Sequence, residues 1–266
     1  GSREESVNIL LSVMKTQAES GTSTLIGQSG KTSSLWAALI NGTASHSQDF
    51  DDIHDFLSMH LTVPICSAAL TAAETVHASG AEFINAVSNA MQLMVGIAAA
   101  IMPEHYQNFW HATATIGIFG AVAACGNLLK LTPEQLCHAF GIAASKASGT
   151  QIHFGSMNKP MQPAQASRNG YESVLLAREG FLSCDNIFET EYFSMMSGRV
   201  QTDKILPRMN GPLAVHELRY KRFPCGAPTH NGIINSLAIC REHPVNPDSI
   251  ERIVLEPYPR SIRLAG

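Results

Sequence analysis

The sequence contains few charged residues and has no long run of basic ones. Asp, Glu, Lys and Arg together make up only 15% of its 266 residues, and the formal net charge is −4. Proteins that bind nucleic acids rely on clustered Lys and Arg side chains to contact phosphates. The composition therefore argues against nucleic acid as a partner, and the short basic stretch "RYKRF" is better interpreted as part of a small site.

The cysteines form neither a CxxC pair nor a closely spaced set. They are Cys66, Cys125, Cys137, Cys184, Cys225 and Cys240. Scattered cysteines are ordinary in a reducing compartment, and this spacing gives no pattern for a zinc site or an iron–sulfur cluster. We therefore expect no metal, and we expect a cytoplasmic protein, or a mitochondrial one if the source is eukaryotic.

Two long segments, 83–102 and 111–130, contain almost no charge, and the first is long enough to span a bilayer. Asn85, Asn89 and Gln92 are spread through that first segment, where unpaired amides in lipid would be costly. A helix that is apolar on most sides is also typical of the core of a large helical protein. We therefore expect two buried core helices and no membrane partner.

Helical patterns dominate the chain. In "LTPEQLCHAFGIAAS", Thr132 is placed to cap a helix, Pro133 takes the first helical position and Gln135 can complete a capping box. Another helix is indicated by "PAQASRNGYESVLLAREGF", with Gly170 inside it and Gly180 at its end. Small residues along these helices allow their backbones to approach closely. The sequence therefore predicts a mainly α fold.

The pattern changes after about residue 243. Pro and Asn residues are followed by Ile250, Ile253, Val254 and Leu255, which predict a β-strand. We therefore assign residues 1–243 to an all-helical domain. Residues 244–266 are predicted to hold the first strand of a second, incomplete α/β domain.

The stretch "SHSQDFDDIHDFLSMH", residues 45–60, concentrates histidines and aspartates. Clustered carboxylates and imidazoles shift each other's pKa values, which suits proton transfer. One alternative is a metal-dependent isoprenoid synthase, because Asp51-Asp52-x-x-Asp55 fits its Asp-rich motif. Another is a metal phosphohydrolase that uses "HD", and a third is that these side chains cap helices. No second acidic triplet lies downstream, and magnesium prefers oxygen ligands to the histidines present here.

Further polar residues stand out in apolar surroundings. His111 begins the uncharged segment "HATATIG", and Lys159 precedes Pro160 in a loop that leads into a helix. A helix N-terminus favours a bound carboxylate. In "RYKRFPCGAPTHNG", the positive charges of Lys221 and Arg222 would suit a di- or tricarboxylate ligand.

Taken in order, these motifs resemble the MmgE/PrpD family, which includes 2-methylcitrate dehydratase, cis-aconitate decarboxylase and iminodisuccinate epimerase. The motifs are "NGTASHSQDFDDIH", "MHLTVPICSAALTAAE", "FWHATATIGIFGAVAACGNLLKLTPEQLCHAFGIAAS", "KPMQPAQASRNGYESVLLAREGF" and "YKRFPCGAPTHNGI". The resemblance implies an all-α domain that lacks the family's first helices, followed by the start of a smaller α/β lid domain. It also implies a homodimer and no cofactor.

The resemblance assigns roles to individual residues. His60, His111 and Lys159 are the predicted proton-handling set, and Asp49 is predicted to orient one of the histidines. The predicted substrate-binding residues are Asp52, His54, Lys221, Arg222 and His230.

The implied function is a cofactor-independent lyase that moves protons on a small di- or tricarboxylic acid, in the manner of 2-methylcitrate dehydratase. The alternatives within the family are a cis-aconitate decarboxylase and an epimerase, and a catalytically inactive relative also stays open. Three departures weaken the case for a decarboxylase: Ile53 stands where many members have Thr, Leu61 replaces a proline, and Gly226 falls where decarboxylases can place a histidine.

Overall fold

The computed structural model describes residues 1–17, 20–54 and 56–257, and most of these residues lie in α-helices. The elements are α1 (Glu5–Thr16), β1 (Ser23–Thr24), β2 (Lys31–Thr32), α2 (Ser34–His46), α3 (Thr62–Val76), α4 (Gly80–Ile101), α5 (Glu104–Gln107), α6 (Ala112–Thr115), α7 (Gly117–Leu128), α8 (Pro133–Ala144), α9 (Asn158–Arg178), α10 (Tyr192–Ser197), α11 (Ile205–Met209) and α12 (His230–Glu242). The predicted mainly α fold is confirmed.

Helix α9 lies at the centre of the bundle, in contact with α2, α3, α7 and α8. Two glycines allow its closest approaches. A Cβ atom on Gly42 of α2 would lie 2.8 Å from the Cα atom of Ala164 in α9. A Cβ atom on Gly170 of α9 would lie 2.6 Å from Ala121 Cβ and 2.8 Å from the carbonyl oxygen of Ile118 in α7. The close spacing of these helices therefore depends on the absence of a side chain at Gly42 and Gly170.

Helix α4 is long and apolar enough to cross a membrane by length and composition alone. In this structure it packs against α3, α7 and α11, and much of its surface is buried. Gln92 donates to the carbonyl oxygen of Met209 and accepts from the backbone N–H of Ala214, while Asn85 and Asn89 are exposed. α4 is therefore placed as a core helix whose buried amide is paired within the protein.

The predicted start of α8 is confirmed. The Thr132 hydroxyl accepts from the backbone N–H of Gln135, and the Gln135 side chain accepts from the backbone N–H of Thr132. Pro133 is the first helical residue, where the absence of its N–H costs no hydrogen bond.

Two features differ from the sequence predictions. The antiparallel pair β1–β2, with Ser23 opposite Thr32, was not predicted. In the C-terminal region, residues 250–257 form no strand in the structure, while residues 258–266 lie outside the described part. Ile253, Val254 and Leu255 are 61–71% exposed, because no neighbouring strand is present among the described residues to pair with them. The second domain itself stays a prediction.

Replacing Gly170 with alanine should lower the free energy of unfolding by about 1–3 kcal/mol, because the added methyl group must push α9 away from α7. Urea denaturation of the intact gene product measures this loss. Gly80→Ala is the matched control, since a Cβ atom there meets nothing within 4 Å. Equal stability of the two variants would contradict the close-packing interpretation.

His105 is buried away from the bundle's charged groups and has its Nε2 atom 2.7 Å from Thr115 Oγ1. Burial lowers the pKa of His105 from 6.5 to about 4, although a hydrogen bond from the imidazole to the Met196 backbone acts in the opposite direction. Between these two pH values the unfolded chain binds a proton that the folded chain does not. Above pH 6.5 this histidine therefore does not lower the free energy of unfolding, whereas between pH 6.5 and about 4 the free energy of unfolding falls as the pH falls.

We expect His105→Gln to reduce the loss of stability that the protein shows on acidification from pH 7 to pH 4.5. The variant removes one imidazole whose protonation favours the unfolded chain. Thermal unfolding at a series of pH values measures the slope, with the exposed His77 changed to Gln as a control. If stability falls with pH in His105→Gln as steeply as in the unmodified protein, groups other than His105 cause the acid sensitivity.

Candidate active site

A cavity of about 700 Å³ opens where the end of α2, the start of α6, the start of α9 and residues 219–229 meet. Its walls include Asp49, His60, His111, Lys159 and Lys221. The structure thus brings together all four residues predicted to be catalytic and one of those predicted to bind substrate. They come from four separate parts of the sequence.

Asp49 is the centre of this arrangement. Its Oδ1 atom lies 2.6 Å from Lys159 Nζ, 2.9 Å from Lys221 Nζ and 3.7 Å from His60 Nε2. Burial alone would raise the pKa of Asp49, but Lys159, His60 and Lys221 outweigh it and lower the pKa to about 2. The carboxylate is therefore ionised at every pH at which the protein is expected to work.

The backbone at Asp49 has a left-handed conformation, with φ of +48°. Aspartate tolerates this region better than most side chains. The turn follows directly on α2, and the Asp49 N–H donates to the carbonyl oxygen of His46. Its own carbonyl oxygen accepts from Lys221 Nζ at 2.5 Å, so the lysine contacts both backbone and side chain of the same residue.

Lys221 reaches the cavity because two distant backbone segments pair. The N–H of Ile53 donates to the carbonyl oxygen of Arg219, and the N–H of Arg219 donates back to the carbonyl oxygen of Ile53. The Lys221 side chain is only 2% exposed. The pairing therefore fixes a buried ammonium group beside Asp49.

Asp51 lies between two histidines. His46 Nδ1 is 3.0 Å and 2.9 Å from the two carboxylate oxygens, and His60 Nδ1 is 2.8 Å from Oδ2. Burial raises the pKa of Asp51, but His60 and His46 outweigh it and hold the pKa well below its usual range. A carboxylate can only accept, so the His46 Nδ1 atom, which is hydrogen-bonded to it, carries hydrogen. His60 contacts Asp51 through Nδ1, and its Nε2 atom faces Asp49.

His111 is held in one tautomer by a glutamine. Gln162 Nε2 donates to the carbonyl oxygen of Thr150, so its Oε1 atom accepts from His111 Nδ1 at 2.7 Å. Nε2 of His111 therefore has a free lone pair. Burial is the main reason that the pKa of His111 lies well below its ordinary value, and His46 and Lys159 lower it further. His111 is a neutral imidazole able to accept a proton.

Lys159 is placed at the start of α9, with its ammonium group 5.9 Å from the centre of the Phe154 ring. Burial lowers the pKa of Lys159 more than Asp49 and Asp51 raise it. Asp49 accepts one hydrogen bond from the ammonium group, which has three hydrogens to donate. Lys159 can therefore bind an anion, and it releases a proton more readily than an exposed lysine does.

Asp52 and His54, both predicted to bind substrate, do not border the cavity. The Asp52 carboxylate accepts from the Leu61 N–H at 3.1 Å and from the Thr62 hydroxyl, at the start of α3. His54 Nε2 lies 3.0 Å from a carboxylate oxygen of Glu217. These contacts stabilise the loop that follows α2.

Arg222 and His230 do not border the cavity either. The Arg222 side chain lies over the Phe223 ring, 5.7 Å from its centre, and the residue is exposed. His230 begins α12 and packs edge-on against the same ring at 5.3 Å. The neighbouring residues 226–229 do form part of the cavity wall.

Ligand atoms of His46, Asp49, Asp51 and His60 lie within 4.8 Å of one another, close enough to surround a cation. The carboxylates are already paired, however, because Asp49 contacts two ammonium groups and Asp51 contacts two imidazoles. Positive charge at this position opposes a metal ion. The absence of a metal stays a prediction that these contacts favour.

The isoprenoid synthase alternative gains no support from the same contacts. Its motif requires carboxylates that share a metal ion, but Asp51 contacts His46 and His60 while Asp52 contacts the start of α3. Asp55, the third member of the motif, lies outside the described residues.

Comparison with known proteins now identifies the family. A family model described as the MmgE/PrpD N-terminal domain matches residues 1–202, which is more than half of the chain. The chain belongs to the MmgE/PrpD family. The family predicted from the sequence motifs is thereby confirmed.

Individual MmgE/PrpD relatives are more distant. The chain is 27% identical to cis-aconitate decarboxylase from Aspergillus terreus over 230 residues, covering 80% of this chain and 47% of that protein. It is 25% identical to cis-aconitate decarboxylase from Homo sapiens, covering 96% of this chain and 56% of that protein. It is also 25% identical to cis-aconitate decarboxylase-like protein oryM from Aspergillus oryzae, covering 84% of this chain and 50% of that protein. The chain spans about half the length of these curated relatives.

The sequence analysis missed three residues of this MmgE/PrpD site. His46 and Asp51 lie in the polar stretch at residues 45–60 but were not selected, because their contact depends on the turn that follows α2. Gln162 lies one turn after Lys159 on α9. Only the fold reveals its contact with His111, which comes from a different helix.

Asp52→Ala should lower the free energy of unfolding by about 1–3 kcal/mol, because it leaves the Leu61 N–H and the Thr62 hydroxyl without their acceptor. KM for the substrate should not change, since the carboxylate does not border the cavity. Urea denaturation and steady-state kinetics of the intact gene product test both statements. A raised KM at unchanged stability would instead show that Asp52 takes part in substrate binding.

Proposed function

We propose that the protein containing this chain is a lyase that acts on a small di- or tricarboxylic acid by acid/base proton transfer. Family membership and the similarity to cis-aconitate decarboxylases support this class of reaction. The observation that carries the proposal is the meeting of two ammonium groups and two imidazoles, Lys159, Lys221, His60 and His111, around one cavity.

The two lysines provide the binding site for carboxylates. Together Lys159 and Lys221 carry two positive charges, of which Asp49 neutralises one. Lys159 keeps N–H groups that are free to donate to a substrate, and an ammonium–carboxylate hydrogen bond is stronger in a site of low dielectric constant than in water. An anionic substrate would thus complete the charge balance of the cavity.

The two histidines provide proton transfer. Nε2 of His111 has a lone pair, and the Nε2 atom of His60 faces Asp49 at the cavity wall. One imidazole would remove a proton from a carbon next to a carboxylate, while a second group would protonate the leaving hydroxyl or the carbanion that develops. Lysine ammonium groups nearby would stabilise the negative charge that accumulates on the substrate carboxylates.

Two residues of the cavity wall bear on the choice of substrate. Gly226 contributes no side chain, although a Cβ atom there would lie 3.6 Å from Asp49 Oδ2, and Ile53 places an apolar group at the wall. Both residues depart from the pattern expected of decarboxylases, so our proposal places dehydration of a 2-methylcitrate-like acid first, whereas the similarity to cis-aconitate decarboxylases favours decarboxylation. A homodimeric assembly stays a prediction from the resemblance.

The experiment is a substrate panel of 2-methylcitrate, cis-aconitate and iminodisuccinate, incubated with the intact gene product in D₂O and followed by NMR. We expect product or hydrogen exchange with one of them. His60→Gln and Lys159→Met should each reduce that rate by about 10²–10⁴-fold, because each removes a group placed to transfer a proton or hold the substrate. Lys221→Met should mainly raise KM.

Two control variants make the same kinds of substitution, Lys to Met and His to Gln, at residues outside the cavity. Lys146→Met breaks an ion pair with Glu172, and His138→Gln removes a contact to the carbonyl oxygen of Ser183. Both should retain full activity. Unchanged turnover in folded His60→Gln and Lys159→Met would refute the proposed function, and complete inactivity of the unmodified protein on the whole panel would favour an inactive relative.

A further inference from the structure

His46 is fully buried at the end of α2, and its side chain contacts a carboxylate that a second histidine also uses. His46 Nδ1 lies 2.9 Å from Asp51 Oδ2, and His60 Nδ1 lies 2.8 Å from the same oxygen atom. The two imidazole rings meet edge-on with their centres 4.6 Å apart. A single carboxylate oxygen therefore lies within 2.9 Å of the Nδ1 atoms of two imidazoles.

We propose that His46 is a positioning residue that sets the proton affinity of His60 through the carboxylate that both imidazoles contact. The His46 N–H group that donates to Asp51 neutralises part of the negative charge of this carboxylate. The carboxylate therefore stabilises a protonated His60 less than it would if His46 were absent. The coupling is a property of the chain itself, and its consequence for catalysis rests on the proposed function of His60.

His46 acts through Asp51, because its own properties make it a poor proton carrier. Burial lowers the pKa of His46 to about 4, although Asp51 raises it, so the imidazole is neutral under ordinary conditions. Its Nε2 atom has no hydrogen-bond partner among the described residues. The ring stacks at 6.0 Å on that of His111, which holds it in place between the two histidines of the cavity.

His60 also contacts groups other than Asp51. The backbone N–H of His60 donates to Thr113 Oγ1 from α6, and Nε2 faces Asp49. The other titratable residues of the cavity wall are His111 just before α6, Lys159 on α9, Lys221 in the paired segment 219–221, and Glu4, Glu5 and Tyr106. The hydrogen bonds of His111 and of the two lysines go to Gln162 and Asp49, so a change at His46 leaves these contacts in place.

The test is an NMR titration of the His60 imidazole in the intact gene product labelled with ¹³C-histidine. The signal is assigned by its absence from His60→Gln. In His46→Phe, which keeps a ring in place but removes the N–H donor, the titration midpoint of His60 should rise by about one pH unit, a tenfold change in proton affinity. His46→Gln restores an N–H donor and should give a smaller rise. Asp51→Asn should move the midpoint downwards.

His138→Phe, at a histidine outside the cavity, should leave the His60 midpoint unchanged. The proposal is overturned if folded His46→Phe and His46→Gln both titrate His60 as the unmodified protein does. If His46→Phe does not fold, His46→Leu, which also removes the N–H donor, takes its place. The titration needs no substrate, so a lack of turnover would refute the proposed function but not this proposal. If the enzyme is active, the acid limb of its kcat/KM profile should shift in the His46 variants together with the NMR midpoint of His60.

Discussion

The ionised carboxylate of Asp49 is the interaction on which the site depends. It lies within 3 Å of two ammonium groups, one on α9 and one in the segment that pairs with Ile53, and without it two positive charges would lie side by side in a partly buried cavity. Breaking a buried ion pair by removing one partner is more costly than the pair is worth, since the remaining charge stays desolvated. Asp49 therefore makes a site with excess positive charge compatible with a stable fold.

The helical scaffold brings these groups together by close packing of small residues. Alanines and glycines on α2, α7 and α9 let the backbones approach, so the end of α2 and the start of α9 lie beside the start of α6. Polar side chains are placed at these ends, where the helices leave backbone groups unpaired and the chain turns. The apolar interior and the charged cavity are thus two consequences of one arrangement of helices.

Sequence patterns predicted the helices well because the helix period and the Thr132–Gln135 capping box are local features. The predicted proton-handling residues were selected through resemblance to a family, and the structure places them around one cavity. Contacts formed by the turn after α2 could not be predicted in this way. Asp51 and Asp52 are adjacent and chemically identical, yet one contacts two histidines and the other contacts the start of α3. That difference depends on the direction of each side chain, which the order of residues does not specify.

The backbone pairing of Ile53 with Arg219 has a consequence for how the protein matures. It closes a loop that contains most of the helical bundle, and contacts so far apart in sequence form slowly because the chain entropy lost on closure is large. Lys221 arrives beside Asp49 only with this closure. The second ammonium group therefore reaches Asp49 only when residues 219–221 have joined the helices before them, so the charge balance of the cavity depends on the fold of the whole described domain and not merely on its first helices.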